Sequence, residues 1–174
     1  MTDVMEVLIK DRNFTALTRN SRNTDKDLSK EDIALRLIVD YVVTQGNDSM
    51  ARFLNESYKQ QLADAAKFVN ETCGADYVDE MRTRMKEDLK AIVGALGKDI
   101  AHKLDDSFSL PLLEILFIAF LFDYKNTSQE ALKDIIYKYI DDNAYKILHS
   151  GNDSTVKFRE RLMLAIELNK TMNK

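Results

Sequence analysis

The chain has 174 residues, of which 45% are hydrophobic and 31% are charged, and its formal net charge is -4. This length and apolar content suit one continuous core, so we predict a single domain over residues 1–174. Five Gly and one Pro are too few for the tight turns of an all-β fold. The acidic balance argues against broad, sequence-independent binding to nucleic-acid backbones.

Cysteine and histidine usage argues against the common metal sites. Cys73 is the one cysteine, so neither an intrachain disulfide nor a cysteine-based zinc cluster can form, and His102 and His149 are too few to replace it. The N-terminal stretch MTDVMEVLIKDRNF carries acids where a secretory signal needs a basic flank. We therefore predict a cytoplasmic protein without metal or cofactor.

Helical periodicity organises the first half of the chain. Segment 3–18 predicts a short helix followed by a looser stretch, and the polar run 18–27 predicts a loop. The next helix begins with Ser29 as N-cap and ends at Gly46. The pattern then predicts a helix from 48 or 49 to about 61, with continuation to Gly74 left open, and a further helix over 77–97 that Gly97 ends.

Charged residues on the helix after Ser29 are spaced four apart. Asp32, Arg36 and Asp40 fall outside its apolar face, so two exposed ion pairs along the helix are the simplest interpretation of Arg36.

The stretch SLPLLEILFIAFLFDY, residues 109–124, is apolar on every side except at Glu114. It is too short for a membrane span and predicts a buried central helix over 110–123. The fold class is therefore an all-α bundle of about six or seven helices around this segment. Glu114 near the helix start is expected to reach solvent or to cap a backbone N–H group, with a functional role as the alternative.

Two further helices complete the chain. A capping signature at Thr127 or Ser128 starts a helix that ends near His149, and the last helix covers about 154–171. We expect this last helix to present Phe158, Leu162 and Ile166 to the core, and Lys157, Arg159, Glu160, Arg161 and Glu167 to solvent.

The turn SGNDST between these two helices is the segment that most resembles a ligand site. Free backbone N–H groups at the start of a helix can bind an anion, and Lys157, Arg159, Arg161 and Ser154 could add donors for a phosphate or nucleic acid. The competing interpretation is that Ser154 and its neighbours cap their own helix. The capping preferences of these residues favour this structural interpretation.

Short motifs occur in a fixed order along nearly the whole chain: Asn13-Phe14, Ala34-Leu35-Arg36-Leu37, Phe53-Leu54-Asn55-Glu56, Gly97-Lys98, and Ser150-Gly151 followed by Arg159 and Arg161. In this order they resemble the C-terminal helical half of a family of unknown function that includes the GmrSD-type, modification-dependent restriction enzymes. Members of that family usually begin with a ParB-like α/β domain, which carries the catalytic activity. Nothing in this chain resembles that domain.

The resemblance implies a non-catalytic helical module of a restriction or anti-phage defence system, which contacts a ParB-like catalytic domain, another subunit or DNA. A protein-binding adaptor without a nucleic-acid role is the alternative, consistent with the acidic composition. An enzyme is the weakest hypothesis because the sequence carries no catalytic motif. Clustered basic residues on the surface would favour DNA, whereas an exposed apolar groove would favour an adaptor. We expect no membrane contact, and self-association is left open.

Overall fold

The computed structural model describes residues 2–19, 29–45, 57–104, 107–124, 128–151 and 155–174. Within these ranges the chain forms eight α-helices and no strand, which confirms the predicted all-α class. The helices are α1 (Thr2–Lys10), α2 (Arg12–Leu17), α3 (Lys30–Gln45), α4 (Tyr58–Lys67), α5 (Ala75–Leu96), α6 (Leu110–Leu121), α7 (Gln129–His149) and α8 (Thr155–Met172). A π-helical turn, Phe68–Thr72, continues α4, and a 3-10 turn, Ile100–His102, follows α5.

The N-terminal segment forms two helices where one helix and a looser stretch were expected. Asp11 separates them, because its carboxylate accepts hydrogen bonds from the backbone N–H groups of Asn13 and Phe14 at 2.8 and 3.1 Å. This N-cap starts α2 at Arg12, so Asp11 is the one residue between the two helices. Phe14 and Leu17 of α2 are then buried in the core.

Other helix ends follow the predicted signals where the structure describes them. The backbone N–H of Asp32 donates to the Ser29 hydroxyl at 3.0 Å, and the Asp32 carboxylate accepts from the Ser29 backbone at 3.2 Å. This reciprocal cap confirms the predicted start of α3. The Ser128 hydroxyl caps α7 through a single bond, which it accepts from the backbone N–H of Ala131 at 3.2 Å. The expected stop at Gly46 and the expected start at residue 48 or 49 lie outside the described residues.

The apolar segment around residue 115 is the central helix, as predicted. Ser109 caps α6, and every residue from Leu110 to Leu121 is buried except Pro111, which lies in the first helical turn. Helices α3, α5, α7 and α8 pack against α6. The buried side chains of all eight helices form one contiguous cluster. None of the helices in the described ranges is both long and apolar enough to cross a membrane.

The last helix buries a face that only partly matches the expected one. Phe158 is buried as expected, but Leu162 and Ile166 are only half-buried. The buried positions of α8 are Phe158, Arg161, Leu164, Ala165, Leu168 and Met172. This buried face packs on α6. The prediction that Arg161 points outward is therefore wrong.

Gly97 ends α5 in a backbone conformation that other residues rarely adopt, with φ 86° and ψ 164°. A Cβ atom at this position would meet no atom within 4 Å, so a side chain would be disfavoured by the backbone conformation alone. Gly94 lies in the same helix with ordinary φ, and a Cβ atom there would meet only a side-chain nitrogen at 3.7 Å.

We expect Gly97→Ala to lower the free energy of unfolding by about 1–3 kcal/mol because the substitution strains the backbone. Gly94→Ala is the matched control, and it should raise the same quantity by about 0.5–1 kcal/mol because Ala is the better helix former. Urea unfolding of both variants measures the two effects. Equal effects of the same sign would contradict this account of the α5 terminus.

An ion pair on α5 between the half-exposed Arg84 and the buried Asp88 ties that helix to the end of α6. The Arg84 guanidinium donates to the Asp88 carboxylate at 3.1 Å and to the carbonyl oxygen of Leu121 at 3.1 Å. Burial raises the pKa of Asp88 from 3.8 to about 7, although Arg84 acts in the opposite direction. The folded chain therefore binds this proton more tightly than the unfolded chain does.

The contribution of Asp88 to stability is complete below pH 3.8 and is lost as the pH rises to about 7. We expect Asp88→Asn to remove this part of the pH dependence, which is at most about 4 kcal/mol. Chemical denaturation between pH 4 and pH 8 measures it. Asp79→Asn, at an exposed carboxylate of the same helix, is the control and should keep the wild-type pH dependence. If the stability of the Asp88→Asn variant depended on pH as that of the wild type does, the assignment of this dependence to Asp88 would be contradicted.

Candidate functional site

The turn before α8 is attached to the core, and this attachment decides which way α8 faces. Ser150 is fully buried, its hydroxyl donates to the carbonyl oxygen of Ile147 at 2.7 Å, and its own carbonyl oxygen accepts from Arg161. A Cβ atom on Gly151 would lie 3.1 Å from Cγ of Pro111. Gly151 therefore packs closely on the first turn of α6, and the absence of a side chain permits that approach.

Arg161 and Glu114 form an ion pair inside the protein. Nε of Arg161 lies 2.9 Å from Oε2 of Glu114, and both residues are 1% exposed. The Arg36 guanidinium reaches the other carboxylate oxygen of Glu114 at 4.0 Å. The expectation that Glu114 reaches solvent or caps a backbone group is therefore wrong, because α8 supplies a buried partner instead.

Asp40 completes a buried polar cluster with Arg36, Glu114 and Arg161. It is 1% exposed, so the expectation that Asp40 lies with Asp32 and Arg36 outside the apolar face is wrong for Asp40, whereas Asp32 is exposed. Burial raises the pKa of Asp40, the neighbouring Glu114 raises it further, and Arg161 and Arg36 oppose the shift. These four side chains, which we call the buried polar cluster, join α3, α6 and α8 beneath the surface. Their burial gives them a structural role.

The residues expected to bind an anion do not form one surface group. Arg161 faces the core, whereas Arg159 is exposed. Lys157 lies on the surface in an ion pair with Glu160, at 2.8 Å. Ser154 lies outside the described residues. The structure thus places two of the four on the surface, and anion binding by Lys157 and Arg159 stays a prediction.

An open groove of about 560 Å³ runs between α7 and α8 on the outer surface. Tyr139 of α7 donates to the carbonyl oxygen of Leu164 at 2.8 Å, and Ser150 bonds to Arg161 nearer the turn, so the two helices run antiparallel. We call this feature the α7–α8 groove. Its lining comprises Tyr145, Lys146, His149, Val156, Lys157, Arg159, Glu160, Met163, Leu164 and Glu167.

Large apolar side chains are exposed along this groove. Tyr145 is 73% exposed, Val156 62% and Met163 56%, and Leu148 lies beside them at 43%. These four are the large hydrophobic residues that remain exposed in the described part of the chain. Tyr145, Val156 and Met163 line the groove from two neighbouring helices, so they give it an apolar centre.

Tyr145 and His149 form the wall of the groove on α7. Their rings stack with centroids 3.9 Å apart and planes inclined by 25°. The imidazole also contacts the carbonyl oxygen of Tyr145, with Nδ1 at 2.8 Å. Because these contacts hold the exposed Tyr145 ring in place, little side-chain entropy is lost when it meets a partner.

Charged groups surround the apolar centre of the groove unevenly. Lys146, Lys157 and Arg159 lie towards the turn between the helices, where they outnumber the one acid, Glu160, that pairs with Lys157. Glu167 lies towards the other end, where the Tyr139 hydroxyl donates to it at 3.4 Å. The groove therefore has a basic end and an acidic end. Among the described residues, no group of three or more His, Cys, Asp or Glu side chains is arranged to hold a metal ion.

The sequence pattern placed the charged groove residues Lys157, Arg159, Glu160 and Glu167 on the surface, but it did not single out the apolar ones, Tyr145, Val156 and Met163. Val156 and Met163 are apolar and fall outside the buried face that contains Phe158, Ala165 and Leu168. Apolar residues away from the core face of a helix predict a surface that is covered by something else. That signal could be used only once the core face of α8 was known.

Comparison with known proteins gave no match: no family model, curated protein or solved structure was found to be similar to this chain. The resemblance to the family of GmrSD-type restriction enzymes therefore stays a prediction.

We expect Arg161→Met to lower the free energy of unfolding by about 3–5 kcal/mol because it leaves the Glu114 carboxylate buried without its ion partner. Glu114→Gln should cost a similar amount. The double variant should cost clearly less than the sum of the two single costs, since each single variant loses the same pair. Arg159→Ala, at an exposed position of the same helix, is the control and should change stability by less than about 0.5 kcal/mol. Additive costs would contradict the pairing.

Proposed function

We propose that this chain is a non-catalytic helical module for protein interaction, and that it docks its partner in the α7–α8 groove. One observation carries the proposal: of the four large hydrophobic residues that are exposed in the described chain, three, Tyr145, Val156 and Met163, line this groove. Soluble proteins seldom expose a contiguous apolar patch without using it for binding. The exposed apolar groove is the feature that favours an adaptor.

The residue types in the groove suit protein binding. Tyr, Met and Arg are enriched in protein interfaces, and Tyr145, Met163 and Arg159 line this groove. Tyr145 supplies a large ring held by its stacking on His149, and Met163 supplies an adaptable apolar contact. Charged side chains at the rim would remain partly hydrated in a complex.

A DNA-binding role receives less support from the geometry. Arg161, one of the three cations expected to contact DNA, lies in the core, and Lys157 pairs with Glu160. Docking of a ParB-like domain, and a part in restriction or anti-phage defence, rest on the sequence resemblance alone. Each stays a prediction, as does a cytoplasmic location.

Site-specific photocrosslinking in the native cells tests the proposed function. A benzophenone amino acid introduced at Met163 should form a discrete protein adduct, because this position lies in the α7–α8 groove. The same amino acid at Thr83, an exposed position on α5, is the matched control and should form none. Circular dichroism should show the same helix content for both labelled chains.

The adducts are identified by mass spectrometry after nuclease treatment. A protein adduct at Met163 that is absent at Thr83 supports the interaction module. An adduct that nuclease removes would indicate nucleic acid and would overturn the proposal in favour of the DNA hypothesis. Equal labelling at both positions, or none at either, would also overturn it.

A further inference from the structure

We infer that the α7–α8 groove binds a second copy of this chain, with α8 pairing antiparallel to α8 of the second copy about a two-fold axis at Met163. This inference rests on the proposed function of the groove as a docking surface. It goes further because it specifies the occupant, the symmetry and the register of the contact. The pattern of side chains along α8 supplies the argument.

The outward face of α8 carries a stripe that is symmetric about its centre. Val156, Arg159, Met163, Glu167 and Lys170 are all exposed, and their successive spacings are three, four, four and three residues. Positions three and four apart lie on one face of a helix. At 1.5 Å per residue the stripe is about 21 Å long, which is about four helical turns.

A two-fold axis through Met163 brings complementary groups together. In such an interface every contact occurs twice: if one residue of the first copy touches a given residue of the second copy, the same two residues also touch with the copies exchanged. Residues equally far before and after Met163 face each other, so Arg159 of each copy lies opposite Glu167 of the other. Val156 faces Lys170, whose aliphatic stem can cover an apolar side chain while the ammonium group stays in water. The two Met163 side chains meet at the centre.

The charge pattern also selects the direction of the pairing. A parallel arrangement in register would place Arg159 against Arg159 and Glu167 against Glu167, and like charges across an interface are destabilising. Antiparallel pairing replaces both repulsions with attractions. The basic end of each groove then meets the acidic end of the other.

Helix α7 extends the contact on both sides of the α8 pair. Tyr145 and His149 lie at the basic end of the groove, which in the antiparallel arrangement faces the last turns of α8 of the second copy. Each copy would contribute two helices to a four-helix layer. An interface built on these few apolar anchors should be a dimer whose formation depends on concentration in the micromolar range.

Sedimentation equilibrium of the purified full chain, with the charges at Arg159 and Glu167 exchanged, tests whether these two residues face each other in the dimer. The wild-type chain should approach twice its mass of 20.0 kDa as its concentration rises. R159E and E167R should each weaken the dimer by about tenfold or more, because each places like charges opposite each other twice. The double variant R159E/E167R restores opposite charges and should return the dissociation constant to within about threefold of wild type.

Lys90→Glu on α5 is the control for a change in net charge alone, and it should leave the dissociation constant unchanged. Thermal unfolding checks that every variant folds. Rescue in the double variant separates pairing between copies from any local role of Arg159 or Glu167 within one chain. A wild-type chain that stays monomeric, or a dimer that ignores these exchanges, would overturn the inference.

The two proposals fail in distinguishable ways. A monomeric purified chain together with a Met163 adduct to a different protein would overturn the second copy as occupant and keep the docking function. A monomeric chain with no groove adduct would overturn both. An adduct at twice the chain mass together with rescue by the double exchange supports both.

Discussion

The ion pair between Glu114 and Arg161 fixes how α8 packs on α6, and this packing decides which residues of α8 lie on the surface. Moving either charge out of water costs several kcal/mol, and the cost is offset only when the two charges meet. Glu114 lies on the central helix, so α8 must pack with Arg161 against it. This contact sets the rotation of α8 about its own axis. Phe158 and Leu168 are buried as a result, and Val156 and Met163 are left on the outside.

The same pair also positions α7. The guanidinium that meets Glu114 donates to the carbonyl oxygen of Ser150, so the turn after α7 is held from within the core. Gly151 lets this turn approach Pro111 closely. A buried side chain, a buried carbonyl group and a glycine thus hold the two helices in one relative position. The α7–α8 groove is therefore formed before any partner arrives, which lowers the entropic cost of binding.

The two faces of α8 carry different kinds of side chain. The inward face of α8 carries a buried charge, which leaves that face little freedom to shift or rotate. Its outward face carries Arg159, Met163 and Glu167 in an arrangement that can pair with itself. Because the basic residues near the turn share the outward side of the groove, one end of the groove is basic although the net charge of the chain is -4. Local placement of charges, rather than net charge, decides which surfaces fit each other.

The sequence by itself determined the all-α class, the central apolar helix and the ends marked by Ser29, Ser128 and Gly97, because capping and periodicity depend on neighbouring residues. It could not determine which acids are solvated, since that depends on contacts between helices far apart in the chain. Asp40 and Arg161 show the difference: each has an ionisable side chain, and each was expected outside the core. Only the packing of α3 and α8 on α6 brought Arg36, Glu114 and Arg161 together in the core. Once Arg161 was buried, the opposite face of α8 became the exposed one, and the groove followed from the tertiary structure.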